Sequence, residues 1–345
     1  MISMEQTTSH HDTPEEPTPL PHNEVFQEEG SRGTPPLFAD AKLAFAILAS
    51  AAFIAWLIGS GSFRADSSET SGGAFGQGEA AVQQQDSELE AAVFPAGGIR
   101  TSAQWGSAVP QLVERGVIDR TKFDALFERG GDPLASEEIA ILEQPQPDRA
   151  IVFTSENSRF TVNVLWALGL AQQSNALDNG PMRTSGTPPG QFASTGGWSL
   201  GTSDDAMEYY SKWNLLGLTA DDQVRVTRIA ETIYRPCCGN STAFPDCNHG
   251  MAMLGLIELM VSQGASDEEV YIAAKAANTY WFPDSMIEIA MYFSELQNTS
   301  WDSVDAKIVV SQEYASAQGA RKVRLALQEA QLVPQPTQGG GSCGA

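Results

Sequence analysis

Lysine is scarce in this chain, with six in 345 residues, and all basic side chains number 20 against 43 acidic ones, a formal charge of −23. Such a surface repels phosphate backbones and anionic headgroups, which excludes nucleic acid as a partner. No phosphate-binding glycine loop, H-E-x-x-H pair or C-x-x-C-H motif occurs. The nucleotide, zincin and c-haem chemistries that need those spacings are therefore unsupported. Internal repeats are also absent, so no solenoid is indicated. Strand signals are nearly missing. The run AIVFTS at 150–155 is the one plausible strand, and since a lone strand forms no sheet it is read as an extended entry to the next helix. Cysteine, four in all, is too rare for a disulfide-built scaffold.

What is present is ordinary globular material, 42% hydrophobic and 18% charged. From Leu43 to Phe63 the chain runs without a charge between Lys42 and Arg64, long enough for a helix to span about 30 Å of hydrocarbon. Residues 41–63 are thus expected to be a single transmembrane helix, with the membrane as partner through 43–63. Residues 1–40 are acidic and Pro-rich, a disordered tail too long for the leading segment of a cleaved signal, so the apolar run reads as an uncleaved anchor. Residues 64–100, rich in Gly, Ser, Gln and Ala, read as a flexible linker. With the N-terminus placed inside, the protein is expected to be single-pass with its C-terminal domain extracytoplasmic.

Beyond Arg100 the pattern is helical. Thr219 precedes ADDQVRVTRIAETIY, Ser266 and Glu269 form a capping box, and Pro283 with Asp284 opens SMIEIAMYFSEL. Apolar positions recur at three and four residues in Val270, Ile272, Ala273, Ala277 and Tyr280, and in Val162, Leu165, Trp166, Gly169 and Leu170. The expected fold is all-α, a helical bundle-like soluble domain behind one N-terminal transmembrane helix. It divides into a small helical module (101–148), a main helical domain (149–333) and a flexible Gly-rich tail (334–345). A Gly/Pro/Ser-rich loop at 178–203 is long enough either to cover a site or to be a surface excursion.

The stretch that carries chemistry is RPCCGNSTAFPDCNHG, residues 235–250, ahead of the apolar run MAMLGLIELMVSQ. It gathers Cys237, Cys238, Cys247 and His249, the ligand types of a soft metal ion (Zn, Cu or Fe), and three sulfurs with one nitrogen complete a tetrahedron. Asn248 is a good N-cap, which places His249 in the first helical turn and Cys247 just outside it. Arg235 and the helix start then favour a thiolate, while Asp246 either opposes it or orients His249. Met251 is a reserve ligand, whereas Met253 reads as a packing residue. Cys343, at the end of the Gly-rich tail, either visits the cluster or plays no part.

The triplet Cys237-Cys238-Gly239 resembles the core of the CCG motif of heterodisulfide reductase-type iron–sulfur proteins. The upstream cysteine and the downstream C-x-x-C pair of that motif are missing, so no role is carried over. Two readings of the chain remain. In the first, Cys237, Cys238, Cys247 and His249 bind a metal, for metal handling or thiol redox, with the thiolate as actor and His249 as proton carrier if the site turns over. In the second, a tethered structural or interaction domain has its loop stapled by a 237–247 or 238–247 disulfide.

Overall fold

A computed structural model of the protein describes residues 87–335. It is about 58% helical with one small sheet. The principal elements are β1 (Ile99–Gly106), α1 (Ala108–Glu114), α2 (Arg120–Arg129), α3 (Ser136–Glu143), β2 (Gln146–Phe153), α4 (Ser158–Ala171), α5 (Ala220–Ala230), α6 (Asn248–Ser262), α7 (Asp267–Trp281), α8 (Pro283–Met291) and α9 (Ala317–Glu329).

The sheet corrects the all-α expectation. β1 and β2 pair antiparallel, with Ile99 opposite Phe153 and Gln104 opposite Ala150. AIVF is therefore a true strand, and its partner lies upstream of three intervening helices, α1 to α3. β1 follows the period-two rule of a half-buried strand: Thr101, Ala103 and Trp105 face inward while Ser102 and Gln104 face out. Chain order upstream of Arg100 is part of the fold as well, since residues 87–93 are helical and Val93 is fully buried.

The membrane expectation is also corrected. Among the described residues no helix is long and apolar enough to cross a membrane. The longest, α6 and α7, have fifteen residues each and rise about 22 Å, short of the roughly 30 Å of a hydrocarbon core. The single-pass topology and the extracytoplasmic placement thus have no support in the structure. The run 43–63, the tail 1–40 and residues 336–345 with Cys343 lie outside the described residues.

The core is organised around α6. Every residue from Gly250 to Val261 is buried, as expected of a helix that is apolar on all sides and so needs neighbours on all sides. Met251 and Met253 are both in this core, as packing residues. α4 crosses α6 at Gly169 and Gly255. A Cβ at Gly255 would sit 2.7 Å from the Gly169 backbone nitrogen, and one at Gly169 would strike the Met251 carbonyl. Glycine at both positions is what lets the two backbones approach. α5, α7 and β1 pack on the other flanks of α6. A second cluster joins Met286, Ile289 and Ala290 of α8 to Val323 and Leu327 of α9. The caps read from sequence hold: Thr219 with Asp222 begins α5, Ser266 with Glu269 begins α7, and Pro283 opens α8.

One residue of α6 breaks the pattern. Glu258 is 0% exposed and neither carboxylate oxygen has a hydrogen-bond partner. Burial drives its pKa well above 4.5; the Ser174 hydroxyl beside it pulls the other way without completing a hydrogen bond. Glu258 is thus carried as the neutral acid.

Two outcomes are expected. Gly169→Ala should lower stability by about 1–3 kcal/mol through overpacking at the crossing, seen as a lower urea midpoint, while Gly97→Ala, where an added Cβ meets nothing within 4 Å, should leave it unchanged. Because the folded-state pKa of Glu258 is raised, the native state holds a proton that the unfolded state releases above 4.5. Stability then falls with rising pH by about 1.4 kcal/mol per unit from that point up to the folded-state pKa. Glu258→Gln should remove this slope, so the two melting curves should converge near pH 4 and separate by pH 8; parallel curves would contradict the assignment.

Candidate metal centre

The segment between α5 and α6 is irregular but tightly tied. The Ile233 carbonyl accepts both the backbone N–H and the hydroxyl of Thr242, each at 2.9 Å, and Ala243 N–H donates to Ala230 O at 3.1 Å. Tyr234 N–H reaches Val310 O at 2.8 Å, and its own carbonyl accepts from the Asn278 side chain at 2.9 Å. These ties set the direction in which residues 235–247 double back.

Arg235 fills the inside of that turn. It is 0% exposed and is among the largest fully buried side chains of the described residues. Nη1 donates to Asn240 O at 3.0 Å; Nη2 donates to Phe244 O at 3.2 Å and to Asp246 Oδ1 at 2.7 Å; Nε donates to Cys247 Sγ at 3.3 Å. Asp246 is completed by the Asn240 amide at 2.9 Å. Gly250 has to be glycine here, since a Cβ would lie 2.5 Å from the guanidinium. Burial works against the charge of Arg235, but the neighbouring sulfurs, Cys247 first, more than offset it and hold its pKa above the ordinary value.

Cys237, Cys238 and Cys247 converge beside this guanidinium. Their three Sγ atoms lie within 4.8 Å of one another, with Cys237 and Cys247 3.4 Å apart. All three are free thiols, so the disulfide staple is not formed. Cys247 itself caps α6, its sulfur accepting the Gly250 N–H at 3.3 Å; the expected cap, Asn248, is instead the first helical residue. Hydrogen bonds from the Cys237 and Cys238 thiols hold the Cys247 pKa far below the usual thiol range against the cost of burial, and Arg235 adds to the effect. Cys237 is pushed far up because its proton is shared first with Cys238 and then with Cys247. The contact with Cys237 favours a Cys238 thiolate, but Cys247 and burial prevail and push Cys238 up to about 11. Of the three, Cys247 is the one at which the thiolate is favoured.

His249 stands outside the sulfur group. Its ring packs on Phe282 at 4.5 Å and Trp281 at 6.0 Å between centroids. Burial lowers its pKa, with the Cys247 charge opposing and Arg235 reinforcing, so the imidazole is neutral. Asp246 does not orient it, being committed to Arg235 and Asn240. The loop 178–203 does approach the site: Ser194 N–H donates to Asp246 O at 3.1 Å, and Phe192 meets Phe244 edge-on at 5.5 Å. The full enclosure of Arg235 was not legible in the sequence, because its acceptors, Asn240, Phe244, Asp246 and Cys247, reach it only once the segment doubles back.

At pH 6, iodoacetamide should modify Cys247 ahead of Cys237 and Cys238, as read by peptide mapping. Arg235→Gln, in a variant shown to be folded by circular dichroism, should narrow that preference by raising the Cys247 pKa; an unchanged margin would remove the role given to Arg235. Comparison with protein-family models, with curated proteins and with solved structures finds no match for the chain, so function is argued from the chemistry of this cluster.

Proposed function

We propose that this protein binds a soft metal ion, of the zinc, copper or iron type, through the sulfurs of Cys237, Cys238 and Cys247. The observation that carries the reading is the convergence of three unbridged Sγ atoms within 4.8 Å. Three thiolates are the donors such ions select, and a divalent ion on them leaves a residual negative charge that a buried guanidinium stabilises. Arg235, Asn240 and the Gly250 N–H serve as the outer framework that aims the ligands, a device whose loss weakens metal sites. His249, neutral and within electrostatic reach of Cys247, borders the site.

Elemental analysis of the purified full chain should give one ion per chain, lost in Cys247→Ser. Since a thiolate is favoured at Cys247 and disfavoured at Cys237 and Cys238, uptake near pH 7 should release protons, fewer than one for each sulfur bound, measurable by calorimetry in buffers of differing ionisation enthalpy. A protein that takes up no metal and shows two thiols consumed under air would favour thiol–disulfide chemistry, to which the 3.4 Å separation of Cys237 and Cys247 lends itself.

A further inference from the structure

The three sulfurs are held very unequally. Cys247 is fixed from two sides, by the Gly250 N–H and by Arg235 Nε, each at 3.3 Å. Cys238 is fixed through its backbone, its carbonyl accepting from Ala317 N–H at 2.9 Å, and its sulfur lies 3.6 Å from Asp246 Oδ1. Cys237 is the exposed member, and the hydrogen-bonding contacts of its sulfur run to the other two cysteines. Among the described residues the group also stops at three ligand atoms. Asp246 is engaged by Arg235 and Asn240, and His249 is seated on Phe282.

Structural zinc sites are closed by four protein ligands, whereas sites that exchange or react keep a position open. Here the inner side is closed by the fully buried Arg235, and the open side is that of Cys237. A polar cleft of about 680 Å³, lined by Gly239, Gln312, Glu313, Gln318 and Lys322, lies next along the chain from Cys238.

Resting on the metal reading above, we infer that Cys237 is the exchanging ligand, through which the ion passes to and from a thiol-bearing acceptor while Cys238 and Cys247 stay bound. In the step, a bond forms between the ion and the acceptor sulfur as the bond to Cys237 Sγ breaks. The proton of the acceptor thiol ends on Cys237, and no oxidation state changes. The ion is cargo in this scheme, and the anchored pair keeps hold of it until the acceptor has a bond in place.

The test uses the full chain loaded with Cd(II), whose thiolate charge-transfer absorption reports each sulfur–metal bond, and iodoacetamide with peptide mapping. With cadmium bound, Cys237 should react at least tenfold faster than Cys238 and Cys247. Transfer of cadmium to dimercaptopropanesulfonate should proceed at a rate proportional to the concentration of that dithiol. Equal protection of all three cysteines, a different sulfur reacting first, or a transfer rate independent of the dithiol would each overturn the exchange role while leaving metal binding intact. If the wild-type chain develops no charge-transfer band at all, the metal reading itself fails and the exchange role with it.

Discussion

A fully buried arginine has to be surrounded by acceptors, and in this protein that requirement shapes the whole of the site. The guanidinium of Arg235 spends its donors on two carbonyls, a carboxylate and a sulfur, and an uncompensated charge in that position would cost several kcal/mol. The segment 235–247 doubles back because the acceptors must all reach one planar group. Cys247 is thereby delivered to the start of α6 with its sulfur already facing a cation and a backbone N–H. The helix cap and the turn are consequences of one buried charge being satisfied, and that charge adds to the pull of the Cys237 and Cys238 thiols on the Cys247 thiolate.

The rigidity on which this depends comes from α6. Its first turn carries the cap and its middle forms the centre of the core, where Gly169 and Gly255 let α4 come close. A displacement of the Cys247 end would have to be propagated along a helix enclosed on every side, which densely packed interiors resist. The same helix holds a neutral carboxylic acid at Glu258 with no partner. That is a stability cost carried in the core, and nothing in the described structure accounts for it.

Much of the helical framework was legible because it is written locally. Thr219, Ser266 and Pro283 mark helix starts by chemistry that acts within one turn, and the three- and four-residue spacing of Val270, Ala273 and Ala277 identifies the buried face of α7 without any tertiary knowledge. The gathering of Cys237, Cys238 and Cys247 was legible for the same reason, since all three lie on one short segment. What could not be read depended on distant partners. β1 shows its alternation at Thr101, Ala103 and Trp105, but a strand is defined by pairing, and its partner is separated from it by three helices. Sulfur is also outside the usual set of capping atoms, so Asn248 was the better guess for a cap that Cys247 supplies. His249 looked like a ligand by proximity in sequence, whereas its ring found an aromatic seat contributed by Trp281 and Phe282.

The pairing of β1 with β2 across α1 to α3 has a consequence for synthesis. The strand that ends at Gly106 leaves the ribosome early, but its inward side chains are covered by β2, α6 and α7, the last of which ends at Trp281. The 175 residues between those points take on the order of ten to thirty seconds to translate. Until β2 is complete, 47 residues after Gly106, Ala103 and Trp105 sit on a nascent strand with an unpaired edge, the state in which chains find one another, and their inward faces stay uncovered until α6 and α7 follow. The chain is most exposed to self-association before the segment with its three clustered cysteines exists, and a helper that shields β1 during that window would act on yield without touching the site.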